Sequence, residues 1–282
     1  AMEQTQEMLV DQARDGDKQA LEALVRAIQD QVYGLAIRML FHPADAEDAT
    51  QEILIKVITN LGGFRRESAF TTWVYRVASN HLLTARKTRA ERMGRMTFKD
   101  FDENIDRMCT AAPPPDGDAE QSLIAQDIMI SCVQGVLQCL DRDHRIAYIL
   151  GEISEITSEQ GAAILDISPV AFRKRHSRAR ARIRDFMGKK CGLVNPDSPC
   201  RCSRFVKWSA AAGGDRAGGL LFAGLPCRTK SEFVTREQLQ QMGELQRVVA
   251  LFRSCPDYAA PEAFVEQIRA LVDAGRLEPG GA

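Results

Sequence analysis

Between residues 17 and 40 apolar side chains return every three or four positions, at Leu21, Leu24, Val25, Ile28, Val32, Leu35, Ala36 and Met39. The stripe predicts one amphipathic helix or two continuous ones. Phe41-His42-Pro43 interrupts it, and the pattern resumes from Ala44 to Leu61 through Ala46, Ala49, Ile53, Val57 and Leu61 before Gly62-Gly63 ends the segment. A short loop, 64–70, leads to Thr71, which is placed to cap a helix from Thr72 to about Arg89 with Trp73, Val74, Val77 and Ala78 facing inward.

Residues 96–120 lose this periodicity, turn acidic and end in Ala111-Ala112-Pro113-Pro114-Pro115-Asp116-Gly117-Asp118. They are expected to form a linker, extended at the prolines and otherwise poorly ordered. Helical spacing returns near Glu120, first through Leu123, Val133, Val136, Leu137 and Leu140, then from Arg142 to Gly151 and from Thr157 to Leu165. Thr157 and Gln160 have capping-box spacing. After the turn Asp166-Ile167-Ser168, Ser168 suits an N-cap and Pro169 the first helical position. Phe172, Ala179, Ile183 and Phe186 then share one face, leaving Arg173, Lys174, Arg178, Arg180, Arg182 and Arg184 on the remainder. Short helix, three-residue turn and basic helix read as a helix-turn-helix whose second helix enters a DNA major groove. Beyond the apolar patch Leu220 to Leu225, further helices are predicted at about Thr235 to Arg253 and Pro261 to Ala274.

Charge sharpens this picture. The 282 residues carry 37 Lys and Arg against 38 Asp and Glu, a net charge of -1 that hides segregation. Residues 1–60 and 100–130 are acid-rich, whereas 65–95 and 173–190 are basic, which suggests two nucleic-acid surfaces and an acidic partner-facing one. Asp45, Asp48 and Glu52, with Glu47 and Gln51 beside them, line one helix side, too spread along a straight helix to hold one ion. A solvated or partner-docking face fits them better. In the loop Phe64-Arg65-Arg66-Glu67-Ser68-Ala69-Phe70 and the helix after it, aromatic rings interleave with Arg76, Asn80, Arg86, Lys87 and Arg89. Rings and guanidinium planes can stack on unstacked bases while positive charge meets phosphates; for Phe70 and Trp73, ordinary core packing is the competing use. No nucleophile-base pair, glycine-rich phosphate loop or His-carboxylate cluster appears, so an enzyme is not expected.

Eight cysteines without a secretory leader, and no apolar run long enough for a membrane span, point to a reducing, cytoplasmic location. Cys191, Cys200 and Cys202 fall in a proline-broken stretch that suits a thiolate site for Zn²⁺ or Cu⁺. Cys227 could supply a fourth ligand, and Cys255 or a histidine could substitute. The spacing also leaves redox sensing and inert thiols open. Cys109, Cys132 and Cys139 look like linker and core positions.

Several of these stretches together resemble the extracytoplasmic-function sigma factors of bacterial RNA polymerase. Asp45-Ala46-Glu47-Asp48-Ala49-Thr50-Gln51-Glu52 is similar to the family's polymerase-docking helix, and Ser68 to Asn80 to the segments that melt and read the −10 element. Leu140 to Arg145 and Ile156 to Arg184, including Ser177-Arg178-Ala179-Arg180, are similar to the −35-reading domain. The resemblance implies an all-α chain with a sigma-2 bundle at 5–95, a flexible linker at 96–120, a sigma-4 helix-turn-helix domain at 121–190 and a small, mainly helical C-terminal regulatory domain at 191–282. It implies that Asp45, Asp48, Gln51 and Glu52 contact the β and β′ subunits of core polymerase. Phe64, Arg65, Arg66, Ser68, Phe70, Trp73, Arg76, Asn80, Arg86 and Lys87 would serve the −10 element, and Ser168, Arg173, Lys174, Arg175, Arg178 and Arg180 the −35 element. Cysteine-containing extensions in some relatives act as built-in regulators, which here suggests control in cis, with a separate anti-sigma protein possible in addition. Two residues depart from the pattern: Gly161 replaces an aliphatic core residue and should leave a gap, and His176 replaces an inward leucine and is expected to be half-buried and hydrogen-bonded. A stand-alone helix-turn-helix regulator and a metal-sensing protein without sigma activity are the rival readings.

Overall fold

The computed structural model describes residues 2–85, 96–111, 123–206, 221–222, 225–228 and 234–277. Its helices run in the order α1 Met2–Arg14, α2 Lys18–Leu40, α3 Pro43–Thr59, α4 Phe70–Thr84, α5 Phe98–Ala111, α6 Leu123–Gln138, α7 Arg142–Tyr148, α8 Ser158–Leu165, α9 Pro169–Lys190, α10 Arg236–Gln240, α11 Glu244–Arg253 and α12 Ala263–Asp273. A π-type turn, Ile149–Ile153, continues α7. Among the described residues there is no β-strand; an isolated bridge pairs Cys191 with Cys200, and the fold is all-α. No described helix is long and apolar enough to cross a membrane.

The chain divides into two compact units that do not follow chain order. The first gathers 1–86, 156–172 and 258–282; the second gathers 87–155 and 173–257.

The first unit is built on α2. Asp17 caps it by accepting from the Gln19 and Ala20 amides at 2.8 and 3.1 Å, and Phe41, with φ of 70°, ends it before Pro43 opens α3. Leu21, Leu24, Val25, Ile28 and Val32 are buried, as their spacing predicts, and so are Ile53 and Val57 of α3 and Val74 and Leu82 of α4. Arg14 of α1 ties down the turn before α4 by donating to the Leu61 and Phe64 carbonyls, each at 2.6 Å. Helix α4 starts at Phe70, two residues earlier than expected, with Ala69 rather than Thr71 at the cap. On the outer side of α2, α12 buries Phe264, Val265 and Ile268. Arg269 pairs with Glu22, Lys18 with Asp273 at 2.5 Å, and Asp30 accepts from the Ala260 amide at 2.8 Å.

Helix α8 also belongs to this unit. The Thr157–Gln160 capping box forms as the sequence predicts, and Asp166 closes the helix in the left-handed region at φ 52°. Gly161 is not the gap expected of it: a Cβ there would meet the Phe172 ring at 2.4 Å, so the missing side chain lets that ring lie directly on the backbone.

The second unit corrects the expected linker. Residues 98–111 form helix α5, because Phe98, Phe101, Ile105 and Cys109 recur at spacings of three and four. Thr97 and Asp100 cap it reciprocally, the Thr97 amide donating to Asp100 at 2.9 Å and the Asp100 amide to Thr97 Oγ1 at 3.2 Å. Phe98 and Phe101 pack on Phe186 of α9 at 5.4 and 5.7 Å, and Lys190 pairs with Asp102 and Asp106. Residues 112–120 lie outside the described ones. The single helix expected from Thr235 to Arg253 is two, α10 and α11, separated at Gln241–Gly243. Phe252 of α11 meets Tyr148 edge-on at 5.2 Å, and Arg253 donates to the Glu152 carbonyl at 2.8 Å.

Candidate nucleic-acid interface

Helix α4 and the loop before it carry one set of candidates. Phe64 and Phe70 are 3% and 0% exposed, and their rings lie 5.3 Å apart edge-on. Trp73, half-buried, stacks on Phe70 at 5.8 Å. Phe64 and Phe70 are therefore core side chains supporting the loop, a correction to their expected contact with a base; rings of this size gain more from burial than the loop could supply around an exposed one. Arg65 is exposed. Arg66, in the left-handed region at φ 58°, pairs with Asp11, which accounts for its side chain. Ser68 is half-buried. Trp73, Arg76 and Asn80 fall on one face of α4, with Arg76 and Asn80 exposed. Arg76 Nε donates to the carbonyl of Ala163 in α8 at 3.0 Å. Arg86 and Lys87 lie outside the described residues.

The acidic face of α3 is graded in exposure. Asp48 and Glu52 are exposed, while Asp45 and Gln51 are half-buried. Glu52 reaches within 3.8 Å of His81 Nε2 on α4, and Lys56 stands 2.7 Å from His81 Nδ1. Burial and the Lys56 charge hold the His81 imidazole below its ordinary value, against the opposing pull of Glu52.

Helix α9 carries the third set. Ser168 caps it, accepting from the Ala171 amide at 3.2 Å, so its hydroxyl already has a structural task. Phe172, Ala179 and Ile183 are buried as the pattern predicts. Arg173, Lys174 and Arg178 are exposed, whereas Arg175 meets Asp143 at 3.3 Å and Arg180 meets Glu152 at 2.8 Å. His176, half-buried as expected, lies 3.0 Å from the same Glu152 carboxylate. Burial pushes the Glu152 carboxyl up, but the His176 hydrogen bond and the Arg180 charge outweigh it and hold the group below the carboxylate range.

The thiols group differently from the expected set. Residues 191–201 fold into a loop locked onto the end of α9: Asn195 Nδ2 donates to the Gly188 carbonyl at 3.0 Å, Ser198 Oγ to Lys189 at 2.9 Å, and the Gly192 amide to Cys200 at 3.1 Å. At Gly192 a Cβ would sit 2.3 Å from the Cys200 carbonyl, so only glycine permits this approach. Cys227 is exposed and donates to the Leu225 carbonyl at 3.2 Å, and the group that raises its thiol, after burial, is Asp257. Burial, followed by the charges of Cys191, Cys200, Cys202 and Cys139, pushes the thiol of Cys132 in α6 well above the ordinary value. Cys109 of α5 hydrogen-bonds Cys200, whose thiol is pushed up to about 12, chiefly by burial. Among the described residues no three Cys, His, Asp or Glu side chains already stand in ligating geometry. Cys132 and Cys109 thus interact electrostatically with the loop thiols, whereas the charge acting on Cys227 is Asp257. Three thiols close in sequence were visible; Cys132 and Cys109, 59 and 82 residues before Cys191, gave no signal beyond being cysteines.

Comparison with known proteins adds the following. The family Sigma-70 region 2 matches residues 24–92. The chain is 30% identical over 181 residues to the RNA polymerase sigma-H factor of Pseudomonas aeruginosa, covering 63% of this chain and 91% of that protein. It is 31% identical over 183 residues to the ECF RNA polymerase sigma-E factor of Escherichia coli, covering 64% and 92%. A solved structure of the sigma factor RpoE in complex with the anti-sigma factor NepR, from Bartonella quintana, is similar at a TM-score of 0.39 and 21% identity, over 58% of this chain and 93% of that one.

Proposed function

The chain belongs to the extracytoplasmic-function sigma factors of RNA polymerase, and from that membership we propose how its surfaces divide the work of starting transcription. As an alternative sigma factor it serves transcription initiation. The observation that carries the assignment is similarity at 30% identity or more to two sigma factors over nine-tenths of their length.

Asp48 and Glu52 of α3, flanked by Asp45 and Gln51, make the docking face for core polymerase, with acids and amide presented on one helix side to basic groups of the β and β′ subunits. Arg65, Ser68, Trp73, Arg76 and Asn80 attend the melted −10 strand, held in place by the buried pair Phe64 and Phe70. Extruding a base costs a few kcal/mol, which stacking at roughly 1–3 kcal/mol per base can offset. Arg173, Lys174 and Arg178 grip the −35 duplex, each phosphate they neutralise adding about −0.9 to the salt slope of binding.

Residues 191–282 regulate the chain in cis. Cys132, Cys191, Cys200 and Cys202 bind a thiophilic ion such as Zn²⁺, which would deprotonate the thiols and draw the loop and α6 together. What supports this is the electrostatic interaction of Cys132 with all three loop thiols and the hydrogen-bonded loop that follows α9 directly. Copper and oxidation are the competing signals. The protein works in the cytoplasm, and a separate anti-sigma protein remains compatible with these surfaces.

Gel filtration of the full chain with bacterial core polymerase tests the docking face. The chain co-elutes, and Asp48→Lys with Glu52→Lys abolishes co-elution while leaving the circular dichroism spectrum unchanged. A stand-alone helix-turn-helix regulator would never co-elute.

A further inference from the structure

Helix α1 carries none of the residues assigned to polymerase or DNA, yet it holds the loop before α4 at two points. Val10 and Ala13 are buried, which seats the helix on the first compact unit. Glu7, Asp11 and Arg14 follow one another at spacings of four and three and share the neighbouring face. From that face Arg14 reaches into the turn Leu61–Gly63 and just beyond it. Its Nη2 donates to the carbonyls of Leu61 at 2.6 Å, Gly62 at 3.3 Å and Phe64 at 2.6 Å, and its Nε to Leu61 at 3.0 Å. Asp11 takes the guanidinium of Arg66, and the Glu7 charge acts on the same group.

Arg65 therefore stands between two pinned neighbours. On one side the Phe64 carbonyl is held by Arg14 while its ring is buried against Phe70. On the other, Arg66 sits in the left-handed region at φ 58°, which an L-residue avoids unless its surroundings impose it. Arg65 and Glu67 are exposed and Ser68 half-buried, so these side chains are presented from a backbone whose course is set by α1. We propose that Asp11 and Arg14 are positioning residues of the −10 reader: they fix the 61–66 backbone and thereby which base the 64–70 loop accepts. The inference rests on the sigma-factor reading, because it takes that loop as part of the −10 reader.

The residue types suit the task. A guanidinium presents its donors in a rigid planar fork, and here one fork meets three carbonyls of a single turn; the point charge of a lysine lacks that geometry. A loop ordered before the strand arrives loses little freedom on binding, so the difference between a fitting and a non-fitting base is not absorbed by rearrangement. Asp11 has a second effect. By engaging Arg66 it withdraws a cation that would grip a phosphate whatever base it carries, which weights the loop toward base contacts.

The test is run-off transcription with bacterial core polymerase, the full-length chain and a duplex library randomised upstream of the transcribed segment, comparing wild type with Arg14→Ala, Arg14→Lys and Asp11→Ala. In the wild type the downstream part of the shared two-part sequence shows bases preferred by about fivefold or more, the weight of one mismatch. In Arg14→Ala at least one of those preferences falls to within about twofold of uniform, while the upstream part is read as before. Arg14→Lys recovers only part of the lost preference, and Asp11→Ala weakens the same positions. Preferences unchanged at every downstream position overturn the proposal whether or not total output falls, because a brace that only stabilises the fold lowers output alone. Should Arg14→Ala fail to fold by circular dichroism, Asp11→Ala, at an exposed position, decides by the same criterion. A wild-type chain that yields no chain-dependent transcripts sinks the sigma-factor reading and this inference with it, an outcome distinct from wild-type transcripts whose preferences the variants leave intact.

Discussion

Arg180 of α9 lies 2.8 Å from the Glu152 carboxylate, whose side chain is only 9% exposed. The same carboxylate takes His176 at 3.0 Å, so a residue of the basic helix is spent on holding the helix-turn-helix domain together. Glu152→Gln is expected to lower unfolding free energy by about 2 kcal/mol, the scale of hydrogen bonds to a charged group. The folded-state carboxyl lies below its ordinary value of 4.5, so the stability it contributes is present above that pH and lost as pH falls through the lower folded value. Urea unfolding at pH 7 and at steps downward from 4.5 checks both points: the advantage of the wild-type protein over Glu152→Gln shrinks as the pH is lowered below 4.5. A loss under about 0.5 kcal/mol at pH 7 would contradict the assignment.

His81 makes a prediction in a different pH window. Its imidazole is held below 6.5, by burial first and by Lys56 second, so the neutral ring is the one the fold prefers. Stability from this site is present above 6.5 and is lost as pH falls toward the depressed value. An NMR titration of the ring should show a midpoint below 6.5. A midpoint at or above it would mean that Glu52 dominates.

Phe70→Ala is expected to cost about 3–5 kcal/mol of stability, because a fully buried ring in contact with Phe64 and Trp73 is removed. Arg65→Ala, at an exposed position, should stay within about 0.5 kcal/mol. Thermal unfolding distinguishes them, and a Phe70 loss under about 1 kcal/mol would return that ring to the candidate DNA contacts.

These contrasts show where the sequence was informative. Where one helix face meets one core, spacing is enough: the α2 stripe and the Thr157–Gln160 box are both local, and each appears where its pattern put it. Helix α5 was legible in principle through Phe98, Phe101, Ile105 and Cys109, but four apolar positions among acids are a thin stripe, and the prolines after it biased the whole segment toward a linker. The fate of single side chains was less accessible. Nothing local tells that Arg180 faces an acid 28 positions earlier while Lys174 is exposed, or that Phe64 and Phe70 pack together rather than project. The placement of α8 on α4 depends on contacts some ninety residues apart, which no periodicity records.

The thiol cluster yields a direct chemical prediction. Purified chain loaded with Zn²⁺ and desalted should retain about one ion by elemental analysis, the stoichiometry of a tetrathiolate site. Cys132→Ser should lose it and Cys227→Ser should keep it, since Cys191, Cys200 and Cys202 all act on the Cys132 thiol whereas the charge acting on Cys227 is Asp257. Retention in Cys132→Ser, or loss in Cys227→Ser, would reverse the choice of ligands.

The central claim is that this chain directs promoter-specific initiation, and run-off transcription tests it most directly. Core polymerase alone, and core polymerase with the full-length chain, are given a duplex library randomised upstream of a common transcribed segment, and RNA 5′ ends are sequenced. The account predicts transcripts that require the chain and start at a fixed distance from a shared two-part sequence. Output no greater than that of core polymerase alone, from a chain shown to be folded, would contradict it.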